Sequence, residues 1–250
     1  MMPELDIPTL LIIAFGFAVG GLAKGIFGLG MPFLALPVLV TVLPYQVAVG
    51  VFLVPNFTAN FQQAMRKGLW RQNLKRYLWL IIPMLVVIVL TAQILLSIEQ
   101  ETGLLILGLI CLAFVATQVL PIKPVIHAGR ERLLNPVVGV AAGVLCGLSG
   151  LYGPALIVYL LALRIPKDEF VSALALMYFL GSFPLYGSLA FGGILTREVA
   201  IISVFGAAII GVMILIGQKI RDRLHEERYR KLVLGLLFIV GCDLLRRALV

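Results

Sequence analysis

Charge is scarce in this chain. Only 13% of its 250 residues are charged, against roughly 25% in an ordinary globular chain. So few charges cannot cover a soluble surface of this size, which argues against a soluble helical enzyme. Histidine and cysteine are scarce too. His127 and His225 are far apart, Cys111, Cys146 and Cys242 each lie alone in an apolar segment, and no CxxC occurs. A metal site or disulfide framework has no basis, and no cofactor is expected. A Walker-type Gly-Lys-Ser/Thr is missing, so ATP is not the driver. No credible Ser/His/Asp arrangement is present, so no enzyme is expected. No Asp or Glu falls mid-span, Asp243 being the nearest, and a carboxylate proton relay would need one. No Lys or Arg precedes the first apolar run, where Glu4 and Asp6 stand, so a signal peptide is not expected either.

What the chain has is apolar length: 61% of it is hydrophobic. This reads as an all-α membrane protein. Net charge is +8, but the bases form short clusters between apolar spans. That is the pattern of cytoplasmic loops rather than of a nucleic-acid face, so a nucleic-acid partner is not expected.

One stretch, Gly21 to Pro32, is apolar but broken by glycines, with Lys24 inside it. A second copy follows at an offset of 122 residues, running from Gly143 to Pro154. Gly21, Gly25, Gly28 and Pro32 fall on Gly143, Gly147, Gly150 and Pro154 without a gap, and Leu43-Pro44 falls on Ile165-Pro166. Paired Gly/Pro-interrupted segments in two halves point to a transporter binding site.

The layout repeats around them. Repeat 1 covers 1–120, with a broken element over 7–43 and spans at 45–65, 77–96 and 103–120. A linker follows at 121–132. Repeat 2 covers 133–250, with a broken element over 134–163 and spans at 170–190, 199–217 and 232–249. The arms of the first broken element, 7–22 and 33–43, read as about 11–16 residues, and neither alone clearly crosses roughly 30 Å of hydrocarbon, so the element is either one long kinked helix or a re-entrant hairpin. Pro83 is expected to kink its span. The loops at 66–76, 121–132, 164–169 and 219–231 hold 16 of the 20 Lys and Arg residues. Placing them in the cytoplasm satisfies the positive-inside rule, with Arg246 and Arg247 as a mild exception. The broken elements then read as re-entrant hairpins entering from opposite sides, and the halves as inverted repeats. Eight full crossings would put one strongly basic loop outside.

Candidate site residues gather at the breaks. Short helices starting near Pro32 and Pro154 would offer free N–H groups and a positive dipole end to an anion. Gly28, Gly30, Gly150 and Gly153 allow close approach, though such glycines also serve plain helix packing. Lys24 reads either as a cation for the substrate or as a lysine snorkelling to the interface. Asn56 and Asn60 share a helical face and match Tyr178 and Ser182 at the repeat offset, lining a path or bonding helix to helix. Ser149 and Tyr152 lie inside the second break, where they could donate to an oxyanion, and an interfacial packing role competes for Tyr152.

The segment Gly-Gly-Leu-Ala-Lys-Gly-Ile-Phe-Gly-Leu-Gly-Met-Pro at 20–32, its copy at 143–154 and the two-fold layout resemble the TauE/SafE family of membrane transporters, also called the toluenesulfonate uptake permease family. The resemblance covers essentially the whole chain. It implies transport of sulfite, sulfoacetate or other organosulfonates. The family's first copy often carries more glycine where Ile26 and Phe27 stand here, so the pocket differs in shape.

The reading is a secondary transporter of a small anion in the inner membrane of a bacterium or archaeon, with alternating access around a central site between two inverted repeats. Its expected partners are the anionic substrate, the lipid bilayer, a coupling proton or sodium ion, and further copies of itself. A membrane scaffold or assembly subunit and an anion channel are the alternatives.

Overall fold

The computed structural model describes residues 6–27, 31–119, 126, 128–221 and 226–249. Among these residues the chain forms twelve α-helices and no strand. They are α1 (Ile7–Phe27), α2 (Met31–Leu39), α3 (Tyr45–Gly50), α4 (Leu53–Met65), α5 (Trp70–Arg76), α6 (Leu78–Ser97), α7 (Gln100–Val119), α8 (Glu131–Ser149), α9 (Gly153–Ala162), α10 (Lys167–Phe191), α11 (Arg197–Arg221) and α12 (Glu226–Leu249).

Six of them, α1, α6, α7, α8, α10 and α11, contain stretches long and apolar enough to cross a membrane. The chain is therefore a multi-pass membrane protein. Four of the six match the expected spans at 77–96, 103–120, 170–190 and 199–217. The other two correct the arm lengths read from sequence. α1 has 21 residues and α8 has 19, so each reaches about 30 Å. Two expected spans fall outside the six. The stretch 45–65 is divided by a turn at Val51 and Phe52. α12, over the expected 232–249, carries Asp243, Arg246 and Arg247 in its last turns, where Asp243 pairs with both arginines. Pro83 sits inside α6 without ending it.

The helices form two compact units, and these are not the sequence halves. One unit takes residues 1–55, 98–119 and 194–250; the other takes 56–97 and 120–193. Each unit thus holds one broken element and draws helices from both halves.

In the first unit α1 lies parallel to α11 with almost no space between them. A Cβ on Gly21 would sit 2.9 Å from Ile210 Cα, and one on Gly25 would sit 2.4 Å from the Ile214 carbonyl oxygen. α2 folds back along α1: a Cβ on Gly20 would meet Ala35 Cβ at 2.8 Å, and one on Gly16 would meet Leu39 at 3.3 Å. α7 and α12 pack antiparallel through Gly108 and Gly241. At one end of this unit the Gln100 side chain accepts from the Tyr45 N–H at 2.7 Å, and Gln46 Nε2 donates to the Ile98 carbonyl at 2.6 Å.

The second unit repeats the arrangement with exchanged partners. α8 lies parallel to α6 through Gly139, Gly143 and Gly147. A Cβ on Gly139 would sit 2.2 Å from the Leu80 carbonyl oxygen, and one on Gly147 1.8 Å from Thr91 Oγ1. Gly143 and Gly147 are the repeat partners of Gly21 and Gly25, and α6 lies at the repeat offset from α11. Four of the six matched glycines therefore do packing work, as small residues do between membrane helices.

Further equivalences appear at the same offset. Pro44 precedes α3 with φ −54° and ψ 146°, and Pro166 precedes α10 with φ −55° and ψ 146°. Phe57 and Phe61 on α4 match Phe179 and Phe183 on α10. Phe57 packs on Phe183 with ring centroids 4.9 Å apart, and Phe61 packs on Phe179 at 5.4 Å.

Candidate functional site

The second break shows how a helix stops inside an apolar bundle. α8 ends at Ser149, and Gly150 follows with φ 71° and ψ 5°, a left-handed conformation that costs any residue with a Cβ. The Gly150 N–H donates to the Cys146 carbonyl at 2.6 Å. Ser149 Oγ donates back to the Leu145 carbonyl at 2.7 Å and accepts from the Leu151 N–H at 3.2 Å. Two residues later α9 begins at Gly153, with Pro154 in its first turn. Proline suits that turn because its missing N–H would have no intrahelical partner anyway. The N–H groups of Gly153 and Ala155 stand at the positive end of the α9 dipole.

Against this break α10 presents one polar face. Tyr178, Ser182 and Tyr186 are spaced by four and lie one above another. Tyr152 OH donates to the Tyr178 carbonyl at 2.9 Å and lies 3.4 Å from Ser182 Oγ. Ser182 Oγ donates to the same carbonyl at 2.8 Å. The rings of Tyr152 and Tyr178 tilt together with centroids 4.4 Å apart. Gly181 makes room for this, since a Cβ there would sit 3.0 Å from the Tyr152 ring. Asn56 on α4 donates through Nδ2 to Tyr186 OH at 2.7 Å. All of these side chains are buried, and the Cys146 thiol lies within electrostatic reach of all three tyrosines.

Ser149, Gly150, Tyr152, Gly153, Pro154, Tyr178 and Ser182 thus come together, and Asn56 joins them through Tyr186. Asn60 is buried in the same unit. Lys24 and Pro32 belong to the other unit. Lys24 stands in the last turn of α1, where a cation suits the helix dipole, and it is only 4% exposed, so it does not snorkel to a surface. Pro32 is the second residue of α2, as Pro154 is of α9. Gly28 and Gly30 lie outside the described residues, as do Glu4, Lys123, His127 and His225.

Two features escaped the sequence reading. Tyr186 was legible as the third member of a four-residue spacing on α10. The other is an ion cluster at the basic end of the second unit. Arg76 donates to both Glu131 oxygens at 2.8 and 2.9 Å and to Glu169 at 2.5 Å. Hydrogen bonding to Glu131, more than any other cause, holds the Arg76 pKa above the ordinary arginine value, so the guanidinium stays charged. Nearby in sequence, Lys67 pairs with Asp168 at 2.5 Å on an exposed surface. These residues are far apart in the chain and read singly as loop charges.

Comparison with known proteins agrees with the resemblance read from the breaks. Residues 12–244 match the family model described as sulfite exporter TauE/SafE. No curated protein and no solved structure matches the chain. With nearly the whole sequence covered and its long helices apolar enough to span, the chain belongs to the TauE/SafE family of multi-pass membrane transporters and is not an enzyme.

Proposed function

We propose that this protein is a secondary transporter of a small anion, with sulfite, sulfoacetate or another organosulfonate as the substrate class. The observation that carries this reading is the second break. A left-handed Gly150, a proline-started α9 and the buried hydroxyls of Tyr152 and Ser182, with the Tyr178 ring against Tyr152, converge within one apolar unit. The N–H groups at the start of α9 favour an oxyanion, and no carboxylate belongs to the cluster to repel it. The first break, with Lys24, Gly28, Gly30 and Pro32, is its counterpart at the repeat offset and is proposed to contact the substrate in its own right. Asn60 joins Asn56 on the substrate path.

Inverted repeats are part of the proposal. Phe57–Phe183 and Phe61–Phe179 are reciprocal contacts between repeat-equivalent residues, the pattern expected around a two-fold axis. The helices carrying them run antiparallel, which supports an axis perpendicular to the helices. Arg76 bonds residues at the starts of both α8 and α10, which supports a second broken element that leaves and returns at one membrane face. The basic loops around it mark that face as cytoplasmic. Alternating access then follows from one repeat rocking against the other.

Uptake of labelled sulfite and sulfoacetate into proteoliposomes tests the reading. Saturable uptake that falls in Tyr152→Phe and Gly150→Leu supports it. Uptake unaffected by both changes would remove the site, and no uptake of any sulfonate or oxyanion would remove the function.

A further inference from the structure

α1 and α11 touch along their second halves and part along their first. A Cβ on Gly206 would sit 2.5 Å from the Phe17 ring, one on Gly21 2.9 Å from Ile210 Cα, and one on Gly25 2.4 Å from the Ile214 carbonyl oxygen. These three contacts share one sequence offset, so the helices keep a fixed parallel register. Continued toward the N-termini, that register sets Ile7 level with Thr196 and Leu10 level with Val199. No glycine on α1 or α11 precedes Gly16 and Gly206, and Gly16 faces Val38 and Leu39 of α2. Branched and aromatic side chains therefore hold the two axes apart. Ile13 and Phe17 are buried where the helices close. Beyond them a cavity of about 480 Å³ opens between the helices, lined by Leu10, Leu11 and Ala14 on one side and Glu198, Ile201 and Phe205 on the other.

The surroundings define what fills this cleft. Its lining is apolar apart from Glu198. Leu11, Ile201 and Phe205 are each more than half exposed, so the cleft opens sideways from two helices long and apolar enough to span a membrane. Water finds too few polar partners in such a space, and left empty its walls forfeit their dispersion contacts. A hydrocarbon chain from the bilayer restores those contacts. The charges at the mouth bear on the headgroup. Asp6 stands immediately before α1, where its Oδ1 accepts from the Thr9 N–H at 3.0 Å, and α11 opens with Arg197 and Glu198. All three are exposed, and they set two carboxylates and one guanidinium at the starts of the two spans. A phosphate followed by a primary ammonium complements that set, the phosphate meeting Arg197 and the ammonium donating to the carboxylates. A phosphoglycerol headgroup brings its net negative charge against two carboxylates. A quaternary choline has no N–H to donate to them.

We infer that the cleft between the first halves of α1 and α11 binds one acyl chain of a zwitterionic phospholipid with an ammonium headgroup, the chemistry of phosphatidylethanolamine. The chain fills the space that the side chains leave, and the headgroup bridges the starts of both helices. A lipid seated here braces α1, the helix that carries Lys24. Its binding does not depend on the transport reading above.

The test uses the purified, delipidated full-length protein in detergent. Phosphatidylethanolamine, phosphatidylcholine and phosphatidylglycerol with identical acyl chains are titrated while thermal unfolding is followed, and native mass spectrometry counts the lipid retained. The expected result is a saturable rise in Tm of several degrees with phosphatidylethanolamine, at one lipid per chain, and a smaller rise with the other two. Ala14→Trp fills the cleft from its wall and Ile201→Trp from its exposed rim. The rise is expected to vanish in both, and the second variant keeps the test decisive if the first does not fold. Glu198→Gln is expected to keep a lipid response and lose the preference over phosphatidylglycerol. An equal rise with all three lipids, or a preference undiminished in Glu198→Gln, would overturn the headgroup assignment. A response undiminished in Ile201→Trp would overturn the site. A lipid-free dimer that Ile201→Trp separates would assign the cleft to a second copy of the chain instead.

Discussion

Tyr152, the last residue before α9, donates its hydroxyl to the backbone carbonyl of Tyr178 in the middle of α10. That carbonyl also accepts from Ser182. One oxygen therefore ties the second break to the polar face of the helix beside it.

Tyr152→Phe keeps the ring against Tyr178 and removes only the hydroxyl. Losing one such hydrogen bond costs about 1 kcal/mol of stability. If the hydroxyl also meets the substrate, uptake efficiency in proteoliposomes falls by about tenfold, at about 1.4 kcal/mol per factor of ten. A small stability loss with unchanged uptake would assign Tyr152 to packing alone.

Glycines on α8 and α10 predict a sharp contrast in stability. Gly147→Ala places a Cβ 1.8 Å from Thr91 Oγ1 and 2.9 Å from the Ala92 nitrogen, so α6 and α8 must separate. Overpacking of this kind costs about 1–3 kcal/mol or more. Gly187→Ala meets nothing within 4 Å and lies within a helix, so it leaves stability unchanged or raises it. Thermal melts of the two variants in one detergent decide the matter.

The ion pairs predict another contrast. Arg76→Ala leaves Glu131 and Glu169, each with a side chain only 12% exposed, without their cation. The expected loss is about 2 kcal/mol, between the values for exposed and fully buried pairs. Lys67→Ala breaks a pair whose side chains are 54% and 61% exposed, and the expected change is close to zero. Equal losses in the two variants would contradict this ranking.

Cysteine chemistry reports on opening of the second break. Cys242 is exposed and Cys146 is buried. In a variant carrying Cys111→Ser and Cys242→Ser, a charged thiol reagent is expected to leave Cys146 untouched in the state described here. Slow labelling in proteoliposomes, suppressed by sulfoacetate, is the expected sign of alternating access. Labelling that ignores the substrate would speak against it.

The long spans were legible because α6, α7, α10 and α11 are apolar runs bounded by charges or turns. The second site was partly legible: the offset of 122 residues picked out Tyr178, Ser182, Gly150 and Pro154 together. The length of α1 and α8 was not. Gly21, Gly25, Gly143 and Gly147 look like breaks in a one-dimensional reading, since glycine weakens an isolated helix. In the folded chain each is filled by the backbone or side chain of a neighbouring helix, and the helix continues. The Arg76 cluster was hidden for a different reason. Glu131 is 55 residues away and Glu169 is 93 away, and nothing local distinguishes a buried pair from solvated loop charges.

Because α1 leans on α11 and α8 on α6, neither half of the chain holds the helix that its own broken element needs. Severing the connection between residues 120 and 131 would give two fragments, each presenting a row of bare glycines to lipid. Made separately, they are expected to be degraded. Made together, they should find one another, since each carries the missing brace of the other. The single chain is thus two mutually dependent halves, each carrying the helix that braces the other's broken element.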